Sequence, residues 1–136
     1  MAKQIIQNPV VTINGGTVSA NVAQATINLT ADDIEVTNFT STARERIGGL
    51  KDGTFSMDLH QDYAASAIDS IIWPLLGGTA AIAVRPAGTA APGASNPQYS
   101  FNVLVTEYNP IDSAVGDLAT FSVSWPITGA VARATA

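Results

Sequence analysis

The segment Thr54–His60 alternates without a break: Phe55, Met57 and Leu59 are apolar, and Thr54, Ser56, Asp58 and His60 are polar. In an extended chain, successive side chains point to opposite faces, so one face of this strand meets a core and the other does not. The same period returns in Asp117–Ile127, where Ala119, Phe121, Val123, Trp125 and Ile127 stand against Thr120, Ser122 and Ser124. A chain built on such segments has to bury one side of a sheet. Ahead of the first strand lies a polar, ionic stretch, Asn38–Gly49, with Arg44 and Arg46. A long ionic loop held between strands is usually there to touch something.

Other elements follow from local signals. Asn14-Gly15-Gly16 predicts a tight turn between alternating runs. After it, Ala23, Ala25, Ile27 and Leu29 share one face and Gln24, Thr26 and Asn28 the other. Asp32-Asp33 reads as a turn, and Ile34–Thr37 as a short strand. Asp62 reads as a helix N-cap. Ala65, Ile68, Ile72 and Leu75 recur at helical spacing, and Pro74 is expected to end or kink that helix, with Gly77-Gly78 closing it. Thr79–Arg85 and Gln98–Asn109 are expected strands. The second is apolar on both faces and therefore central or covered twice. Pro86–Pro97 is a low-complexity loop, expected to be exposed and mobile, and Pro110–Gly116 is a second loop. Gly129 interrupts the last alternation, leaving Val131–Thr135 as a short edge strand. There is no internal repeat.

The sum is seven or eight strands and one helix in a single domain, residues 1–136. Strands that do not alternate with helices argue for a mainly β fold: an antiparallel β-sandwich or partly open barrel with one flanking α-helix.

Composition narrows function. The 136 residues suffice for one core and not for two comfortable ones. Charged residues are 12% of the chain, about half the usual ~25% for soluble domains. Copies of itself or a partner covering much of the surface would explain this, and so would a surface merely rich in small residues. The formal net charge is −5, and the six basic residues (Lys3, Arg44, Arg46, Lys51, Arg85, Arg133) are scattered. Nucleic-acid binding by counterion release needs them clustered. The absence of cysteine excludes disulfides, thiolate metal sites and cysteine nucleophiles. Neither a signal peptide nor a membrane span is expected, since the longest apolar stretch, near Ile71–Leu76, is far too short. The Asn-x-Thr sequons at Asn28 and Asn38 read as chance matches.

Catalytic patterns are weak. Asp58-x-His60-x-Asp62 could line two carboxylates and an imidazole along one face, but Asp62 is better read as a cap and two remaining ligands make a poor metal site. No serine sits in a Gly-x-Ser-x-Gly elbow, and neither Gly48-Gly49 nor Gly77-Gly78 continues as a phosphate loop. Asp32, Asp33 and Glu35 lack calcium-loop spacing. Trp73 and Trp125 read as core or interface anchors. Arg44-Glu45-Arg46 reads either as a source of intersubunit ion pairs or as a solvated loop. No catalytic residue, cofactor or metal is expected.

The order of elements is itself a pattern. A polar N-terminal strand pair leads to an acidic turn and the short strand Ile34-x-Val36-Thr37. A loop with an Arg pair ends in Gly48-Gly49-Leu50, and Lys51-Asp52-Gly53-Thr54-Phe55 opens a strand. One helix and a Pro/Gly-rich loop follow. Glu107-Tyr108-Asn109-Pro110, Val115-Gly116-Asp117-Leu118-Ala119 and an alternating strand complete it. Over nearly the whole chain this resembles the tail tube (major tail) proteins of tailed bacteriophages. The resemblance implies a β-sandwich flanked by a helix, six-fold rings closed by strand pairing between subunits, and rings stacked into a tube that conducts DNA without binding it specifically. It implies tape-measure and tail terminator or tip proteins as partners, a place in the virion tail, assembly in the host bacterial cytoplasm, and no membrane. By the same analogy Asn38, Thr40, Arg44, Glu45, Arg46 and Leu50 are the expected inter-subunit contacts. Thr54, Ser56 and Asp58, being small, polar or acidic, are expected to face the lumen. Pro86–Pro97 would lie outside the tube or order on stacking. The alternatives are a tail terminator or baseplate ring of similar fold, a β-sandwich binding module using Trp73, Tyr99 or Tyr108, and a hydrolase or metal enzyme around His60.

Overall fold

The computed structural model describes residues 9–88 and 91–135. Alternating sequence becomes strand: β1 (Val10–Ile13), β2 (Gly16–Thr17), β3 (Val22–Glu35), β4 (Arg46–His60), β5 (Thr79–Arg85), β6 (Gln98–Leu104) and β7 (Thr120–Ala134). They form one antiparallel sheet in the order β2-β1-β5-β6-β7-β4-β3. The helix α1 (Ile68–Ile72) runs into a 3-10 turn at Trp73–Leu75.

The sheet folds over on β7. Residues Thr120–Pro126 pair with β4, whereas Ile127–Ala134 pair with β6. The change of partner falls between Pro126 and Ile127. Two pairs further on, β7 bulges opposite Phe101, with Gly129 at φ +84°, a conformation that costs glycine little. The wings β2-β1-β5-β6 and β4-β3 with the first half of β7 pack face to face. Phe55 of β4 meets Phe101 of β6 with ring centroids 5.3 Å apart. Trp125, Met57, Leu59, Ile13, Ile82 and Val103 are buried between them, together with Ile68 and Ile72 from α1. This is the expected β-sandwich with its flanking helix.

Several expectations need correction. Asp32-Asp33 is no turn: β3 runs through it to Glu35, because Arg46 across the ladder bonds Asp33 at 2.8 Å and β4 absorbs the irregularity. The ionic loop is shorter than Asn38–Gly49 at its end, since Arg46, Gly48, Gly49 and Leu50 already belong to β4. Asp62 does not cap α1. Its carboxylate accepts the Ala64 N–H at 3.0 Å, and Ala67 stands at the helix N-cap. The helix is consequently one turn long, with Pro74 in the 3-10 turn that follows. β6 stops at Leu104 rather than Asn109, and Tyr108 turns inward to a 5.3 Å edge contact with Phe121. Gly129 bends β7 without ending it. The loop after β5 has a buried residue of its own: the Asn96 amide accepts from Ala87 N and donates to Ala87 O, both at 2.9 Å. Trp73 is 62% exposed and no part of the core.

Candidate assembly surfaces

Four surfaces stand out, all built from the β3–β4–β7 wing. The first is its outer face. Register places Gln24, Thr26 and Asn28 of β3 opposite Asp58, Ser56 and Thr54 of β4, and the latter two opposite Ser124 and Pro126 of β7. Ser56 and Ser124 hydroxyls lie 3.2 Å apart, and Ser122 donates to Asp58 at 2.7 Å. Behind each polar residue stands a buried neighbour: Phe55, Met57 and Leu59 on β4, Phe121, Val123 and Trp125 on β7. The core holds the plane, and the outward side chains bond across strands. Asp52 and Asp58 are the charges this face carries between Asp52 and His60, and its strand segments 24–30, 54–60 and 120–126 hold no Lys or Arg. The structure thus brings Thr54, Ser56 and Asp58 together on one face.

The second is the β3 edge. β3 ends the sheet, so one side of its fourteen residues is without a strand partner among the described residues. Its run from Gln24 to Ala31 has no Pro and no charge to blunt the edge, whereas Asp32, Asp33, Glu35 and two register shifts lie toward its ends. The outward edge of β7's first half is different. Ser124 N–H donates to the Glu107 carboxylate at 2.8 Å, Thr120 N–H donates to the Ser113 hydroxyl at 3.1 Å, and Trp125 Nε1 donates to Glu107 O at 2.9 Å. Side chains of the 107–113 segment stand where a ladder would continue.

The third is a projecting ribbon. β4 leaves β7 at Thr54, so Arg46–Gly53 is paired only with β3. Leu29, Ile34, Ile47 and Leu50 are exposed on it. A two-residue bulge, Gly49 and Leu50 against Asp32, lies mid-ribbon. A Cβ on Gly49 would sit 2.8 Å from Ile34 Cδ1 and 2.9 Å from Asp32 Cβ. The tip is a folded turn. Asn38 Oδ1 accepts from Thr40 N–H at 3.0 Å and from its hydroxyl at 2.7 Å, and Thr37 Oγ1 accepts from Glu45 N–H at 3.0 Å. Arg44 reaches Glu35 at 3.7 Å. Phe39 projects fully into solvent. Of the expected contact residues, then, Asn38 and Thr40 build the turn, Arg44 and Arg46 pair with their own hairpin, and Leu50 is exposed.

The fourth lies at the opposite end of the same strands, where 110–118 presents exposed Ile111, Val115 and Leu118. This segment is anchored by Tyr108. Its hydroxyl donates to Asp69 Oδ1 at 2.6 Å and accepts from Gln61 Nε2 at 2.9 Å, and Tyr63 donates to Pro110 O. Burial and the Asp69 carboxylate push the phenol up to about 12. Sequence periodicity put Tyr108 on the face of Asn102, Leu104 and Thr106, opposite Phe101, Val103 and Val105, because the alternation was carried past Leu104, where β6 ends.

The Asp58-His60-Asp62 series is divided among separate duties: Asp58 accepts from Ser122, Asp62 from Ala64, and the His60 carbonyl from Asn21 at 3.3 Å. No group of three potential metal ligands occurs among the described residues. Nor, among them, is any helix long and apolar enough to cross a membrane.

Against this geometry the comparisons can be set. A chain in the virion of a native gene transfer agent particle superposes with a TM-score of 0.78 at 16% identity, over 98% of this chain and 100% of that one. The likeness is one of fold. A chain in the tail of an empty gene transfer agent particle, determined with helical refinement and C6 symmetry, gives a TM-score of 0.70, again at 16% identity and over 98% and 100% of the two chains. No protein-family model and no curated protein matches the sequence.

Proposed function

We propose that this chain is a structural protein of a phage-like tail, closing into six-fold rings that stack into the tail tube. The observation that carries the reading is the β3–β4–β7 wing: a polar, lysine- and arginine-free face backed by a core and ending in an open strand edge. Adding a neighbour's strand to β3 supplies the missing hydrogen bonds and continues the sheet around a ring. Six such contacts, each between the β3 edge of one copy and the wing of the next, close a barrel-like ring around the polar face. The fold shared with a chain of a C6-symmetric tail supports that order.

In such a barrel Thr54, Ser56 and Asp58 line the lumen beside Ser122 and Ser124. Aspartates without counter-cations repel phosphate, and short hydroxyl side chains give DNA nothing to hold, so the duplex slides. The chain's low charge density belongs to a surface covered by copies of itself. Asn38, Thr40, Arg44, Glu45, Arg46 and Leu50 supply contacts between subunits. The remaining partners in this reading are the tape-measure and the terminator or tip proteins, within a virion tail assembled in the host bacterial cytoplasm. No residue is assigned a catalytic role.

Negative-stain electron microscopy of the concentrated protein tests this. Hollow tubes of uniform width with six-fold end views are expected. Particles that remain single protomers at millimolar concentration, confirmed by sedimentation, refute it.

A further inference from the structure

Register shifts between Val22 and Gln24 and between Ala31 and Asp33 bound the regular part of β3, whose outer side has no strand partner among the described residues. Between them the chain reads Gln24-Ala25-Thr26-Ile27-Asn28-Leu29-Thr30-Ala31. This run is its own complement. Laid antiparallel on a second copy about Asn28, it sets Ala25 opposite Ala31, Thr26 opposite Thr30, Ile27 opposite Leu29 and Asn28 opposite Asn28. Opposed residues whose numbers sum to an even value share parity, so polar outer side chains meet polar ones and free backbone groups meet free ones. Thr–Thr and apolar pairs opposite each other stabilise a ladder. No acid meets an acid: Asp32, Asp33 and Glu35 of one copy lie toward the uncharged stretch 16–24 of the other.

We infer that two copies of the dispersed chain pair β3 to β3 about Asn28, forming an isologous dimer with a two-fold axis. Residues 25–31 of each copy then bond across the axis and join two sheets into one. On the inner face, Ala25 and Ile27 line one cleft between the wings, and Leu29 and Ala31 line another. The pairing sets the first cleft of each copy beside the second of its partner, and places Leu29, 53% exposed, against Ile27. Centring on Ile27 would keep parity but set Leu29 against the smaller Ala25, covering less of it. The dimer occupies the edge that a ring neighbour would need, so it parts before β3 enters an assembly. Until then it shields the edge from less specific strand addition.

The chain has no cysteine, so an introduced thiol reports on its own position. Dispersed Asn28→Cys protein, treated with a short bis-maleimide and run on a denaturing gel, should appear as a covalent dimer. Thr26→Cys and Thr30→Cys should each stay monomeric, since a residue two places from the axis lies ~13 Å along the strand from its own copy, and should link when mixed. Equal linking at all three positions, or none at 28, overturns the pairing. Asn28→Lys sets two ammonium groups on the axis. It should sediment as single protomers where wild type has twice that mass, with its circular dichroism unchanged, and mixing it with Asn28→Asp should restore the dimer. A dimer of Asn28→Lys alone, or a mixture that stays apart, overturns the inference. Tubes that grow from single protomers with no dimer beforehand overturn it and leave the tube reading standing. Dimers linked at 28 that never yield tubes uphold it and count against that reading.

Discussion

Gly49→Ala should melt the ribbon and spare the body. The added Cβ would lie 2.8 Å from Ile34 Cδ1 and 2.9 Å from Asp32 Cβ. The first contact is with the far end of a side chain that can rotate away. The second is with an atom fixed to the facing backbone, so the bulge itself must open. Overpacking of this kind costs about 1–3 kcal/mol, which lowers the population of the paired ribbon roughly 5- to 140-fold. A two-stranded ribbon is marginal alone, and from Gly53 outward β4 has no partner but β3. The loss therefore stays local. Hydrogen exchange by mass spectrometry should show faster exchange across 29–35 and 46–53, with 54–60 and 120–127 protected as in wild type and the thermal midpoint nearly unchanged. Adding Ile34→Ala should recover only part of the protection, because the Asp32 contact remains. Unchanged exchange in the ribbon, or a fall in protection shared equally by ribbon and core, would refute the reasoning.

Trp125→Ala empties the centre of the core and leaves Glu107 O without its indole donor; a loss of about 3–5 kcal/mol is expected by chemical denaturation. Arg44→Ala and Arg46→Ala together should change protomer stability by less than ~1 kcal/mol, since both pairs are exposed, while tube yield by sedimentation falls sharply. Tyr108 has its phenol raised in the fold, so its contribution is complete below the unfolded value near 10 and is lost as pH rises through about 12. Stability measured from pH 9 to 12 should decline more steeply in wild type than in Tyr108→Phe. Ser56→Lys with Ser124→Lys replaces a 3.2 Å hydroxyl pair with two cations directly opposite each other on the outer face, and should cost up to about 1 kcal/mol of stability. Assembled tubes of this variant should retain DNA in a salt-dependent way, and equal retention by wild type would count against a lumenal face.

Much of the fold was legible because burial and period agree. Thr54–His60 and Thr120–Ile127 alternate in sequence and pair with each other in space, Phe55 opposite Trp125 and Met57 opposite Val123. Asn14 and Gly15 both take positive φ, as their turn demands. What failed was local reading of residues whose partners are distant. Asp32-Asp33 carries turn chemistry, yet an arginine thirteen residues past Asp33 keeps the strand paired. Asp62 has the right residue type for a cap and spends its carboxylate on a nearer turn. Asn96 lies in a stretch of small residues and prolines, where nothing in the pattern distinguishes an amide that folds its own loop. The polar face was legible as residues, since its members share one parity along β4. The edge beside it was not, because strand order is a property of the whole sheet.

The shared strand β7 has a mechanical consequence. A pull on the hairpin along its length reaches β4, whose seven cross-strand pairs with β7, from Thr54 to His60, lie side by side under that load. They resist in shear, all strained at once, rather than opening one after another like a zip. Past Pro126 the same covalent chain enters the ladder with β6. Tension applied to one wing is thereby handed through a continuous backbone to the other, and the interface of packed side chains between the wings bears little of it.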